Sequence, residues 1–203
     1  MNFSHIIKFK NPVVYKYQGG VPDDIIILDG LNWVMATNEN IERYFSKSNQ
    51  SMKSKLKNFL KMGAYGIIIH DGREWVTRGF LSPPNVYLPK YIPRRIAKNS
   101  WCYFWMHTKT EWRGRGLHNT MIRLGLNFIF STKQNGYDII ADTETWNIPS
   151  RKGFIRNGFK PYGMLFVVST RISILKGNNI FSLWSKRIKH PPIEESSEHS
   201  IGK

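Results

Sequence analysis

The chain has 203 residues, of which 41% are apolar and 14% are Trp, Tyr or Phe. This composition excludes a disordered chain and predicts one domain of moderate size with a hydrophobic core. Lys and Arg number 30 against 14 acidic residues, a formal net charge of +16. Such a charge favours an anionic partner: a nucleic acid, a membrane surface or a phosphorylated small molecule. Because the basic residues are scattered, a solvated basic surface is the alternative.

Targeting and cysteine signals are sparse. No stretch approaches eighteen uninterrupted apolar residues, so a membrane-spanning helix is not expected. The opening residues, MNFSHIIKFKNP, lack the apolar stretch of a secretory signal. The cytoplasm is therefore the expected location, with peripheral contact at the inner face of a membrane as a second option.

The single cysteine, Cys102, excludes an internal disulfide and gives no metal-site spacing. Zinc-finger spacing, RNP aromatics and basic heptads are missing, so specific nucleic-acid binding is not predicted.

The apolar pattern predicts strands that alternate with helices. In chain order we expect a strand at 23–30, one or two amphipathic helices at 38–63, a hairpin at 64–82, an extended surface loop at 83–95, a mid-sheet strand at 101–108, a helix at 117–131, a strand at 137–143, a short helix at 150–156 and a strand at 164–170. The segment 164–189 mixes apolar and basic residues and predicts a final strand and helix that complete the core, with contact at an anionic membrane as the alternative. Together they predict a mixed α/β sheet of six to seven strands in one domain, 1–190, followed by a polar, disordered tail at 191–203.

A glycine-rich turn, EWRGRGLHN, lies between the strand at 101–108 and the helix at 117–131. The first N–H groups of a helix have no intrahelical partner, and the helix dipole favours negative charge there. Gly114 and Gly116 allow close approach to the backbone, and Arg113 and Arg115 add charge-assisted hydrogen bonds. The turn therefore predicts a pyrophosphate site, with a solvated charged loop as the alternative. It is neither a Walker A loop nor a dinucleotide fingerprint.

This turn resembles the acetyl-CoA motif of the GNAT acetyltransferase superfamily, Q/R-x-x-G-x-G/A. Arg113, Gly116 and His118 occupy its three defining positions, and His118 stands where Gly or Ala is usual. A later segment, NIPSRKGFIRNGF at 147–159, is similar to the superfamily's motif N-x-x-[AS]-x-x-x-[YF]-x-x-x-G-F. The resemblance covers about residues 64 to 170.

The resemblance implies a fold and a cofactor site. In this superfamily two neighbouring parallel strands splay apart and the pantetheine arm of acetyl-CoA inserts between them. Here those strands are 101–108 and 137–143. The implied acetyl-CoA residues come from the end of the first strand, the glycine turn and the later motif: Thr108, Thr110, Arg113, Gly114, Arg115, Gly116, Leu117, His118, Asn119, Asn147, Ser150 and Phe154.

The implied chemistry is direct attack of a primary amine on the acetyl carbonyl. That reaction needs a neutral amine, a polarised carbonyl and a proton source for the thiolate. The general-base candidates are His107 and Glu144, with Asp142 as a third. For His107 the alternative is packing among strand aromatics, and for Glu144 it is a solvated loop acid. A tyrosine often supplies the proton in this superfamily, but Phe154 stands there. Cys102 is better explained as a small buried residue than as a nucleophile.

The acceptor suggested by the resemblance is an amino sugar, linked to a nucleotide or a lipid, in bacterial surface-polysaccharide synthesis. Candidate contacts are the cations and rings of the proline-rich loop and the later turn: Tyr87, Tyr91, Arg94, Arg95, Lys98 and Trp146. No metal is expected, and both a monomer and a homodimer remain open. The alternative function is a phosphate-gripping protein that binds nucleic acid or a membrane surface without catalysis.

Overall fold

The structure, a computed structural model, describes residues 6–22, 25–132, 136–171 and 178–186. These residues form nine strands and five α-helices, with a 3-10 turn at Thr110–Trp112. The strands are β1 (Ile6–Lys10), β2 (Pro12–Tyr17), β3 (Asn32–Met35), β4 (Tyr65–His70), β5 (Trp75–Ser82), β6 (Ser100–Thr108), β7 (Asp138–Glu144), β8 (Phe159–Arg171) and β9 (Asn178–Ser185). The helices are α1 (Asn38–Tyr44), α2 (Gln50–Lys61), α3 (Arg94–Ala97), α4 (Leu117–Ser131) and α5 (Ile148–Arg156).

All of these strands belong to one open sheet. Its order is β3-β4-β5-β6-β7-β2-β8, and both β1 and β9 pair with β8. The pairing of β6 with β7 is parallel, and the other pairings are antiparallel. The prediction of a mixed α/β sheet is therefore confirmed, with the predicted parallel pair at its centre.

Helices cover both faces of the sheet. On β4, Ile67 and Ile69 belong to the core cluster that includes the buried side of α4, whereas Ile68 belongs to the cluster of α1 and α2. Because successive side chains of a strand point to opposite faces, α4 lies on one face and α1 and α2 on the other. A third cluster includes Ile92 and Ala97 from the loop and helix before β6. Cys102 of β6 and Ile140 of β7 also belong to that cluster.

Four predictions about the elements are wrong. No strand forms at residues 25–30, the described part of the strand predicted at 23–30. Ile25 and Ile27 instead pack against the core cluster that includes α4, and β3 begins only at Asn32. The sheet gains β1, β2 and β9 beyond the predicted number, and the segment after β8 contributes a strand rather than a final helix. The loop at 83–95 is not purely a surface loop, since Leu88 and Ile92 are buried in the core.

Other predictions fit the described chain or lie outside it. The helices at 38–63, the hairpin of β4 and β5, and the strands and helices from 101 to 171 are confirmed, within a few residues at their ends. The predicted tail at 191–203 lies outside the described residues. Within the described ranges, no helix has the length and apolar character that crossing a membrane requires.

Candidate functional site

The two central strands separate towards their carboxyl ends. Their ladder pairs Ser100–Tyr103 with residues 138–141 and stops there. On the other side of β6, two residues, Trp105 and Met106, lie opposite the single Gly79 of β5, which makes a β-bulge. Trp105 has a φ of 54°, which is rare for a residue with a bulky side chain. The bulge bends β6 away from β7 and opens a cleft between them.

Arg78 of β5 holds this bulge in place. Its Nη1 donates a hydrogen bond to the carbonyl oxygen of Trp105 at 2.9 Å. Its guanidinium lies 3.7 Å from the centroid of the Trp105 ring and 5.4 Å from that of Trp75. Only 4% of Arg78 is exposed. A buried cation between two indole rings therefore stabilises the unusual backbone conformation at Trp105.

The cleft contains a cavity of about 630 Å³, which we call the strand cavity. It lies between β6, β7, the start of α5 and the loop before β6. Its polar lining includes all three base candidates and two groups from other parts of the chain: His107, Asp142, Glu144, Lys10 and Tyr91. The rings of Trp105 and Trp146 also line it.

The three base candidates have different surroundings. Asp142 accepts a hydrogen bond from the hydroxyl of Tyr91 at 2.8 Å. Burial raises the pKa of Asp142 to about 6, although that hydrogen bond acts in the opposite direction. Partial burial, and then the charges of Arg78 and Arg113, lower the pKa of His107, so its imidazole is neutral at pH 7. The carboxylate of Glu144 lies 3.6 Å from the ammonium of Lys10.

The glycine turn forms a second cavity of about 620 Å³, which we call the turn cavity. Gly114 and Gly116 have φ angles of 79° and 77°, and the space that a side chain would occupy at either position is open. The N–H groups of Asn119 and Thr120 both donate to the carbonyl of Gly116. The first turn of α4 offers no acceptor to the N–H groups of residues 117 and 118, which remain available to an anion.

The two cavities are adjacent, because four residues line both: Thr108, Arg113, His118 and Pro149. Ten of the twelve predicted acetyl-CoA residues line one or both cavities: Thr108, Arg113, Gly114, Gly116, Leu117, His118, Asn119, Asn147, Ser150 and Phe154. Thr110 and Arg115 line neither cavity. The guanidinium of Arg115 instead lies over the ring of Trp112 at 4.7 Å and donates a hydrogen bond to the carbonyl of Glu111.

His118 and Asn119 connect α4 to α5. The Nε2 of His118 lies 3.4 Å from the Ser150 hydroxyl, and Asn119 accepts a hydrogen bond from Asn157. A side chain at Gly153 would approach His118 to 2.6 Å, so the imidazole packs directly on the α5 backbone. Burial lowers the pKa of His118 to about 4. His118 therefore packs against α5 as a neutral imidazole.

Phe154 and Cys102, which the sequence analysis considered for catalytic roles, are both buried. Phe154 is 2% exposed and packs against Tyr15 and His118. It has no proton to donate, and the hydroxyl of Tyr103 beside it already donates to the carbonyl of Ile122. Cys102 is buried, and burial raises its thiol pKa, which supports the packing role.

The predicted acceptor contacts divide into two groups. Tyr91 and Trp146 line the strand cavity, and Trp146 is exposed there. The other four, Tyr87, Arg94, Arg95 and Lys98, line neither cavity. Arg94 lies over the ring of Tyr87 at 4.9 Å, which explains why that pair faces away from the cleft.

The prediction missed several lining residues. Lys152 and Arg156 of α5 line the turn cavity beside Arg113. Their spacing of four residues places them on one helix face, which the sequence could have revealed. Lys10 of β1 lines the strand cavity from a strand that the sequence did not predict. Among the described residues, no group of three or more His, Cys, Asp or Glu side chains could hold a metal ion.

Several solved structures that are named as GNAT or GCN5-related acetyltransferases share this fold. The chain aligns with a GNAT-family acetyltransferase from Colwellia psychrerythraea at 16% identity and a TM-score of 0.55, covering 80% of this chain and 56% of that one. A tandem GNAT protein from the clavulanic acid biosynthesis pathway aligns at 12% identity and a TM-score of 0.57. The alignment covers 81% of this chain and 54% of that one. A GCN5-related glucosamine N-acetyltransferase region of a fungal multi-domain β-N-acetylglucosaminidase aligns at 11% identity and a TM-score of 0.54. The alignment covers 83% of this chain and 21% of that one.

These likenesses show that the chain has the GNAT fold. The chain spans about half the length of the first two of these proteins. No protein-family model matches the sequence, and no curated protein matches it.

Proposed function

We propose that the protein is an N-acetyltransferase that moves the acetyl group of acetyl-CoA to a primary amine. The observation behind this proposal is that the strand cavity and the turn cavity share four lining residues. A helix terminus suited to an anion therefore lies next to a cleft between two separated parallel strands. A long ligand with a phosphate-rich end and a narrow reactive arm fits that shape. The shared GNAT fold supports the same ligand.

The residues of the turn cavity match the phosphates of acetyl-CoA. The first N–H groups of α4 and the guanidinium of Arg113 would hold the pyrophosphate through charge-assisted hydrogen bonds. Lys152 and Arg156 provide two further cations on the opposite wall. The pantetheine arm would then lie in the strand cavity, between β6 on one side and Asn147, Ser150 and Phe154 on the other.

The strand cavity provides what direct transfer from the thioester requires. His107, Asp142 and Glu144 are three groups able to accept a proton from the amine. No tyrosine stands at the position of Phe154, so the thiolate takes its proton from the emerging ammonium or from water. A thiol has a pKa of about 8.5, so the thiolate is an acceptable leaving group near neutral pH without a positioned acid.

We further propose an amino sugar of surface-polysaccharide synthesis as the acceptor, at a cytoplasmic location. The rings of Tyr91, Trp105 and Trp146 line the strand cavity, where aromatic faces can pack on a sugar. One solved structure with this fold is a glucosamine N-acetyltransferase region, which supports an amino-sugar acceptor. A phosphate-gripping protein without catalysis receives no support from the structures with this fold.

Calorimetric titration with acetyl-CoA tests the proposal, using Gly116→Asp as the disruptive variant. An aspartate there puts bulk and negative charge in the turn cavity, and we expect affinity to fall at least tenfold, about 1.4 kcal/mol. Gly72→Asp is the matched control, because Gly72 also has a positive φ, of 90°, and open space around it, but lies in the distant β4–β5 turn. Equal acetyl-CoA affinity in the two folded variants would refute the site.

A further inference from the structure

Asp142 occupies a particular position in the cleft. It is the first residue of β7 beyond Ala141, the last residue paired with β6. Its side chain lines the strand cavity at the point where the two strands begin to part. A ligand entering between the strands therefore has the Asp142 carboxylate at the closed end of the cleft.

Tyr91 fixes the orientation of this carboxylate. Its hydroxyl donates to Oδ2 of Asp142 at 2.8 Å, which leaves Oδ1 directed to other partners. The loop that contains Tyr91 is anchored on both sides, because Leu88 and Ile92 are buried. The pair is thus formed by packing between the loop and the sheet, before any ligand binds.

The other two candidates are less suitable as a base. The ammonium of Lys10 lies 3.6 Å from the carboxylate of Glu144, so that carboxylate already has an ion-pair partner. His107 lies further along β6, beyond the bulge, with its ring against Trp75 at 5.8 Å between centroids. The charged and titratable groups around Asp142 are Tyr91 from the loop, Cys102 from β6, Glu144 from β7 and Lys10 from β1. Of the three candidates, Asp142 is the one oriented by a neutral hydroxyl donor.

We propose that Asp142, oriented by the hydroxyl of Tyr91, is the general base that removes the proton from the acceptor nitrogen. This inference rests on the proposed acetyltransferase function. Tyr91 is a positioning residue, since it acts through the carboxylate.

The Asp142 carboxylate takes one proton from the ammonium form of the acceptor, and the neutral nitrogen then forms a bond to the acetyl carbon. The carbon–sulfur bond breaks, and the second proton of the nitrogen passes to the departing thiolate, directly or through water. The products are the acetamide, CoA as a thiol and one proton, which Asp142 returns to solvent. The burial that raises the pKa of Asp142 to about 6 brings it close to the neutral range in which a general base works best.

The experiment compares two amines as acceptors at varied pH, with release of CoA as the readout. The first is 1,4-diaminobutane, which is protonated at pH 7 because alkylamines have a pKa of about 10. The second is methoxyamine, whose nitrogen is neutral at pH 7 and needs a base much less. The variants are Asp142→Asn and Tyr91→Phe. Asp138→Asn is the control, since it removes a carboxylate from the far end of the same strand, where it pairs with Lys16.

We expect Asp142→Asn to lower kcat/KM for 1,4-diaminobutane by about 10²–10⁴-fold and to abolish the acidic limb of its pH profile. The loss with methoxyamine should be less than tenfold, and acetyl-CoA affinity should stay within threefold. Tyr91→Phe should keep part of the rate and move the acidic limb to higher pH, because the lost hydrogen bond stabilised the carboxylate. Asp138→Asn should match the wild type.

Three results would overturn the base assignment. One is a wild-type rate and acidic limb in Asp142→Asn. Another is an equal loss with both amines, which indicates a structural role. The third is a wild-type protein that binds acetyl-CoA but transfers to neither amine at high concentration. A wild-type protein that does not bind acetyl-CoA would instead refute the proposed function, and the base with it.

Discussion

Asp142 is the proposed general base, and its burial lowers the stability of the fold at neutral pH. Burial disfavours its charged form, so its pKa rises from 3.8 to about 6 in the folded chain. The folded state therefore binds a proton more tightly at this position than the unfolded chain does. The contribution of Asp142 to stability is complete below about pH 4 and is lost as the pH rises through about 6.

Replacing Asp142 with Asn should therefore stabilise the fold at neutral pH. The amide is uncharged and its oxygen can still accept the Tyr91 hydrogen bond. We expect a gain of about 1–3 kcal/mol in the free energy of unfolding at pH 7.5, which shrinks towards zero near pH 4. Urea denaturation at the two pH values measures it, with Asp138→Asn as the control. A variant less stable than the wild type at pH 7.5 would contradict the burial argument.

At the scale of the elements, the bulge in β6 decides whether a cleft exists. Two residues of β6 opposite one of β5 shift the strand, and the Trp105 carbonyl turns towards Arg78. The same element sets the width of the strand cavity, because β6 forms one of its walls. The stability of the bulge and the affinity for a ligand between the strands should therefore change together.

Arg78→Lys tests this coupling. Lysine keeps the charge but lacks the planar guanidinium that stacks on Trp105 and donates to its carbonyl. We expect a loss of about 1–3 kcal/mol in unfolding free energy and a weaker affinity for acetyl-CoA, measured by denaturation and calorimetry. The control is Arg43→Lys, where an exposed arginine lies over the Tyr44 ring at 5.2 Å. Its effect should stay within about 0.5 kcal/mol. Wild-type values for both properties in Arg78→Lys would refute the role of Arg78.

At the scale of the whole molecule, the net charge of +16 creates a long-range positive field. Three cations, Arg113, Lys152 and Arg156, gather around the turn cavity, where they match a polyphosphate ligand. The surrounding positive field should speed the encounter with acetyl-CoA and attract any polyanion weakly.

Salt dependence distinguishes the two functions considered for this protein. Non-specific binding to phosphates falls steeply with salt, since each contact releases counterions. In gel-shift assays we expect retardation of DNA and RNA at low salt and none at submicromolar protein in physiological salt. The matched measurement is the rise in melting temperature with acetyl-CoA at the same salt, which should persist. Tight, salt-resistant nucleic-acid binding would favour the non-catalytic alternative.

Local patterns in the sequence were enough for much of the fold. Apolar spacing gave α1, α2 and α4, and Asp71-Gly72 gave the turn between β4 and β5. The strand β2 was missed, although Val13, Val14 and Tyr15 are fully buried. Its partners, β7 and β8, lie more than a hundred residues away in the chain, and such pairing leaves no local signal. The isoleucines at 25–27 led to the opposite error, since their pattern predicts a strand and the segment forms none.

The sequence by itself determined the glycine turn, because positive φ angles at Gly114 and Gly116 and a following amphipathic helix are local properties. It also placed the two central strands and the residues that follow them. Only the tertiary structure decided which side chains meet in the cleft. Tyr91 reaches Asp142 across 51 positions of sequence, and Lys10 reaches Glu144 from the first strand. Orientation and pKa depend on such non-local neighbours and on burial, so they exist only once the chain has folded.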